Sequence, residues 1–250
     1  MVSATSSDVA DVLDADTGAI VTSFPTGHFP HQNDYSADGR HLYNGSIGDV
    51  SKPFAQDAQK GARQVTLVDA STFKVLKVYP FMEGIRPSVI TADEKTMVAQ
   101  QSYLNGLIRF DLTTGTITQM LTEPKSDFAL ANYPTPDDFP HDSAHHGLAL
   151  SGDGSRLCDA GTIDNTVSIV STETLAVLST SNTGLIPYWA TTSHDGNFCF
   201  VSLSGDNSVS VVRYATGQEV MRVPVGKFPQ RNRAGRVPDT VLRLLSAAPG

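Results

Sequence analysis

The sequence predicts an all-β chain built from one repeated four-stranded unit. Three observations carry that prediction. A turn of the form Asp-x-x-Thr between apolar runs recurs five times, with Ser or Arg replacing Asp in the last two copies. The copies are V-L-D-A-D-T-G-A-I-V, L-V-D-A-S-T-F-K-V-L, R-F-D-L-T-T-G-T-I-T, I-V-S-T-E-T-L-A-V-L and V-V-R-Y-A-T-G-Q-E-V. A second turn, D-G or D-E, falls between them at Asp38, Asp93, Asp153 and Asp195. The flanking segments alternate and are rich in Val, Ile, Thr, Tyr and Phe, as half-buried strands are. No segment carries a convincing amphipathic helix.

The repeat arithmetic turns these elements into blades. Thr17, Thr72, Thr114, Thr174 and Thr216 are spaced by 55, 42, 60 and 42 residues, and the turn aspartates by 55, 60 and 42. The base period is therefore 42, with 13 residues inserted between Asp38 and Thr72 and 18 between Thr114 and Asp153. Each period holds two hairpins, because Asp and Thr side chains bond nearby backbone and Gly accepts a positive φ. Four short strands in about 40–45 residues is the size of a β-propeller blade. The G-H…W-D signature of one common propeller class is missing, and the chain has a single tryptophan.

The repeats resemble the YVTN-type repeats of the lactonase-like and quinoprotein-amine-dehydrogenase-like propeller superfamily. The family pattern is G-x-x-P-x-G-x-x-x-S-x-D-G-x-x-x-Y, followed by V-x-V-x-D-x-x-T-x-x-V. This chain has G-H-F-P-H-Q-N-D-Y-S-A-D-G-R-H-L-Y and, later, N-S-V-S-V-V-R-Y-A-T-G-Q-E-V-M-R-V-P-V-G-K-F-P. The resemblance covers nearly the whole chain outside the two insertions. It implies the fold and leaves the function open, because such propellers host hydrolases, lyases, oxidoreductase subunits and plain binding proteins.

Seven blades are common in that family, whereas about five are visible here. Residues 1–250 read as one domain with complete blades near 28–81, 82–121, 142–184 and 185–225. Residues 8–25 supply two outer strands, and 226–246 are expected to add two inner ones, completing a composite blade. A closed five-bladed propeller is the favoured reading, and the C-terminal part of a seven-bladed one is the alternative. Closure would leave no sheet edge exposed.

Bulk properties narrow the partners. The 250 residues carry a formal net charge of −8 and a pI near 5.2, which disfavours nucleic acid and anionic membranes. No apolar run is long enough for a membrane span. The N-terminal M-V-S-A-T-S-S-D has neither a basic nor an apolar signal region, so at face value the chain is cytoplasmic, or secreted if a longer precursor exists. Cys158 and Cys199 lie in apolar strand-like runs and read as buried free thiols rather than a disulfide.

Five of the seven histidines fall in two stretches, G-H-F-P-H at 27–31 and H-D-S-A-H-H at 141–146. In a propeller the first strand of each blade lines the central channel. Both insertions, near 47–61 and 123–142, are expected on the face where those strands begin, as a cover over the channel mouth. Counting back seven residues from each turn aspartate gives the mouth residues His31, Arg86, His146 and Tyr188, with Gln230 as a fifth by its F-P-Q context. Trp189 adds an aromatic wall.

Convergent polar groups in a concave site define the default binding site. The occupant expected there is a small molecule or a partner's peptide segment. His28, His31, His141, His145 and His146 also contain H-x-x-H and H-x-x-x-H-H spacings, and one divalent metal ion is the cofactor they suggest. The alternative function is a metal- or His-dependent lactonase or lyase, with His31 and His146 as its catalytic pair. Asp142, Ser143 and His145 lie too close along one loop to read as a catalytic triad.

Overall fold

The computed structural model describes residues 1–235, 239, 240 and 243. Nineteen strands among them form five antiparallel sheets. The first sheet holds β1 (Val2–Ala4), β2 (Val9–Leu13) and β3 (Ile20–Pro25). The second runs in order through β4 (Pro30–Tyr35), β5 (His41–Ser46), β6 (Arg63–Asp69) and β7 (Val75–Phe81). The third holds β8 (Ile85–Ile90), β9 (Thr96–Gln101), β10 (Gly106–Asp111) and β11 (Thr116–Thr122). The fourth holds β12 (Leu148–Leu150), β13 (Arg156–Gly161), β14 (Thr166–Ser171) and β15 (Val177–Asn182). The fifth holds β16 (Pro187–Thr192), β17 (Phe198–Leu203), β18 (Ser208–Arg213) and β19 (Glu219–Pro224). This is a β-propeller, with β4, β8, β12 and β16 as neighbouring inner strands.

Apolar side chains between consecutive sheets hold the blades together. Ala10, Phe24, Leu42 and Val68 fill the first interface, and Tyr43, Val65, Ile85, Met97 and Ile108 the second. Val98, Leu107, Leu148, Leu157 and Val170 fill the third, and Ala160, Val167, Ile169, Val201 and Val212 the fourth. Side chains alternate between the two sides of a strand, so one strand serves two interfaces: Leu157 faces the third blade and Ala160 the fifth.

That alternation corrects the free-thiol reading. Cys158 and Cys199 form a disulfide between β13 and β17. Cys158 lies five residues after Asp153, and Cys199 four residues after Asp195. The offset of one residue puts the two thiols on opposite faces of their sheets, and so towards each other across the fourth interface.

A latch repeats at the blade junctions. Asp8, Asn165 and Asn207 each accept a hydrogen bond from the backbone N–H 21 residues on, at Phe29, Ile186 and Phe228. Thr5, Thr162 and Ser204 each donate to the carbonyl 25 residues on, at Pro30, Pro187 and Pro229. Phe29, Ile186 and Phe228 share a positive φ of 51–56°, a conformation that bulky residues enter only when their surroundings impose it.

The first blade departs from expectation in two ways. It gains β1, which stands where the second strand of the other blades stands and packs on β4. The stretch 226–235 contains no strand, and Asp239, Thr240 and Arg243 are helical. The remaining residues of the expected 226–246 strand pair lie outside the described residues. At Phe228–Pro229 the segment makes the same two latches that begin an inner strand, but its next contacts are made by side chains, Arg231 to the His31 carbonyl and Asn232 to Ser202 on β17.

Both insertions are ordered and meet each other. The first carries a 3-10 turn at Phe54–Gln59; the second carries α1 (Asp127–Asn132), capped by the Ser126 hydroxyl on the Ala129 N–H. The backbone N–H of Phe54 donates to Asp137 Oδ1 at 2.6 Å, and the Phe54 and Tyr103 rings meet edge to face. Ala129, Phe139, Ala144 and Ile163 form a small core beneath the second insertion.

Candidate functional site

Backbone irregularities aim the mouth side chains. The β4–β5 register shifts between Pro30 and Gln32, the β8–β9 register between Ile85 and Ser88, and the β16–β17 register between Pro187 and Trp189. His31 and Tyr188 are the residues left over at two of these bulges and Arg86, with Pro87, at the third, and a bulge turns its side chain away from the strand's alternation. In the fourth blade the same job falls to His145–Gly147, just ahead of β12. Gly147 has a φ of 153°, and a Cβ there would stand 2.8 Å from Trp189 Cα, so only glycine lets this segment approach β16.

His31, Arg86, His146, Tyr188 and Gln230 line one cavity of about 200 Å³, together with His141, Arg231, Ile47 and Val50. The structure thus brings five of the sequence-predicted mouth residues together, with His141 at the rim. Trp189 is buried behind them: its ring lies 6.3 Å from that of His31 and 5.7 Å from that of His146, and it does not line the cavity. Arg231 and Arg233 cover its face at 4.6 and 5.0 Å, a cation–π arrangement.

The two mouth histidines touch. His146 Nε2 and His31 Nε2 are 3.3 Å apart, and the His146 ring stacks on Tyr188 at 4.2 Å. His146 Nδ1 donates to the Tyr188 carbonyl at 2.8 Å, because a carbonyl only accepts. In the neutral ring His146 Nε2 therefore carries a lone pair, and His31 Nε2–H donates to it. His31 Nδ1 is buried without a partner.

Both rings are held neutral. Burial, then the Arg86 guanidinium, lowers His146 to about 3. Burial, then His146, Arg231 and Arg86, pushes His31 well below its usual range, although one edge of its ring still meets the cavity. Burial lowers Arg86 to about 10, with Asp142 pulling the other way, so it stays charged at neutral pH.

A buried ion group ties the first insertion to the propeller. Lys60, from the first insertion, donates to Asp142 Oδ2 at 2.6 Å and to the Tyr103 hydroxyl at 2.7 Å. Arg86 Nη2 stands 3.8 Å from the same carboxylate oxygen and donates to the His141 carbonyl. Arg231 donates to the His31 carbonyl at 3.0 Å.

The remaining histidines go elsewhere. His28 Nδ1 meets Asp8 Oδ2 at 2.7 Å at the first blade junction. His145 turns into the interface between the third and fourth blades and meets Asp159 Oδ2 at 2.9 Å. Burial alone would lower His145, but the carboxylates of Asp159, Glu123 and Asp164 together outweigh it and raise its pKa to about 9. Among the described residues, the one grouping of three metal-ligating side chains is Glu123, His145 and Asp159, and it includes neither His31 nor His146.

Sequence reasoning missed Lys60, Arg231, Glu123 and Asp159. Two of them had a partial signal: Arg231 follows the predicted Gln230, and Asp159 is an isolated acidic residue in the otherwise small and apolar end of its strand.

No protein-family model matches the chain, and no curated protein matches it. Among solved structures, it is similar to Kuenenia stuttgartiensis Hydrazine Synthase, with a TM-score of 0.64 and 19% identity, over 86% of this chain and 67% of that one. At that identity the likeness shows the propeller fold alone. No helix among the described residues is long and apolar enough to cross a membrane.

Proposed function

We propose that this chain binds a small anionic ligand, a carboxylate or a phosphate, in the channel-mouth cavity beneath the two insertions. One observation carries the reading: Arg86 and Arg231 line a cavity with His31, His146, Tyr188 and Gln230, and among the described residues no carboxylate lines it. Guanidinium groups suit both anions, because their planar donors match two oxygens at once. About 200 Å³ is room for roughly six or seven waters at ~30 Å³ each, which limits the ligand to a small molecule or one side chain of a partner's peptide.

The test is calorimetric titration of the full chain with inorganic phosphate and, separately, with succinate. One of the two should bind at a single site, weaken with added salt, and lose at least about tenfold in affinity in Arg231→Ala. Absence of binding by both anions, or binding indifferent to Arg231→Ala and His146→Ala, would overturn the reading.

The His31–His146 contact favours a second reading, the metal- or His-dependent lactonase or lyase of the YVTN-type resemblance. Two imidazole nitrogens on a tetrahedral ion with bonds of about 2.0–2.1 Å stand about 3.3–3.4 Å apart, close to the 3.3 Å observed. The carbonyl contact of His146 Nδ1 is the usual orienting bond of a metal-bound imidazole. Arg86 and Arg231 oppose a cation at that spot, so the anion reading stands first. The Cys158–Cys199 bond fits an oxidising compartment better than the cytoplasm.

A further inference from the structure

Glu123, His145 and Asp159 meet between the third and fourth blades, each offering a ligand atom within 4.8 Å of the other two. The group is separate from the mouth cavity: His145 bonds Asp159, whereas its neighbour His146 bonds the Tyr188 carbonyl and lines the cavity. Asp159 Oδ1 accepts from Gln100 Nε2 at 2.6 Å, and Glu123 Oε2 from the Ser168 hydroxyl at 3.1 Å. Glu123 Oε1 is buried with no partner at all.

Charge is out of balance here. Asp159 is fully buried, and Asp164 lies beside Glu123 in the same groove. Against three carboxylates stands one imidazole. Lys125, the nearest cation in sequence, lines the same groove, but its ammonium donates to the Tyr133 carbonyl at 3.1 Å and lies over the Phe139 ring at 4.5 Å. Excess buried negative charge is costly unless a cation joins it. The groove lined by Glu123, Lys125, Asp164, Thr166 and Thr180 has a volume of about 480 Å³ and offers an entry path.

We propose that Glu123, His145 and Asp159 form a binding site for one first-row divalent cation, Zn²⁺ or Mn²⁺, entered from this groove. One imidazole nitrogen with two carboxylates suits these ions; Ca²⁺ and Mg²⁺ prefer all-oxygen sets. Ligand atoms on a tetrahedral ion with bonds of about 2.1 Å stand about 3.4 Å apart, so closing round the ion draws atoms now within 4.8 Å together by at most about 1.4 Å, shared between the side chains. Gln100 and Ser168 are the groups that orient the two carboxylates, as partners behind metal ligands do.

The experiment is titration of the chelator-treated full chain with Zn²⁺, Mn²⁺ and Ca²⁺, followed by calorimetry and by the melting temperature. Zn²⁺ or Mn²⁺ should bind one per chain and raise the melting temperature. Glu123→Gln and His145→Gln should each weaken binding at least about tenfold, while His31→Ala leaves it unchanged. Glu123→Gln keeps the Ser168 contact, and its circular dichroism without metal should match the unsubstituted chain. No saturable uptake, uptake that survives Glu123→Gln, Ca²⁺ bound as tightly, or uptake lost in His31→Ala instead would each overturn the proposal.

Discussion

Asp142 carries two cations at once, and this shapes what one substitution does. Lys60 is 1% exposed, and its ammonium sits 2.6 Å from the carboxylate; Arg86 stands behind at 3.8 Å. A buried pair gains little over an apolar pair, but breaking it strands a charge. Lys60→Met should therefore lower stability by about 3 kcal/mol, near the low end for a broken buried pair because Arg86 still faces Asp142. Urea unfolding would show this as a lower midpoint with an unchanged slope; an unchanged midpoint would contradict it. At this scale the sequence was readable only where the repeat fixes a residue's place. His31, Arg86, His146 and Tyr188 each stand seven residues before a turn aspartate, so their place at the channel mouth could be counted. Lys60 bonds Tyr103 and Asp142, 43 and 82 residues away, Glu123 bonds Ser168, 45 away, and Asp159 bonds His145, 14 away, and the sequence alone pairs none of them.

The turns are the elements most fully written in the sequence. Asp38, Asp153 and Asp195 each accept from the hydroxyl two residues before and the backbone N–H two residues after. These bonds hold all three at about 2, below the usual 3.8. For Asp153 and Asp195 the serine hydroxyl is the largest cause; for Asp38 it is the Arg40 N–H. A carboxyl with a folded pKa below its unfolded value adds stability above the unfolded pKa and loses it as pH falls through the folded one. The melting temperature should therefore drop between about pH 4 and pH 2. The triple variant Asp38→Asn, Asp153→Asn, Asp195→Asn should flatten that part of the curve, and a curve of unchanged steepness would contradict the account. The disulfide is the counterexample among elements. Its one-residue offset within the repeat was present in the sequence, but it means something only once strand direction and blade order are known.

For the whole molecule, the four apolar interfaces explain why five sheets stack in sequence order, and the period of 42 made that legible. The path of 226–235 was legible only at its start, since Phe228–Pro229–Gln230 repeats Phe29–Pro30–His31. Beyond Gln230 the segment leaves the repeat and lays Arg231 against Trp189 and His31. That departure supplies the second guanidinium of the mouth. The account therefore rests on one cavity assembled from three inner strands, the pre-strand segment at His146, residues of both insertions and the segment after Phe228. Its most direct test is an NMR titration that follows the imidazole resonances of all seven histidines while phosphate or succinate is added at constant ionic strength. The account predicts saturable shifts at His31 and His146, with His28 and His145 unmoved. Shifts spread evenly over all the histidines, or none at His31 and His146, would contradict it.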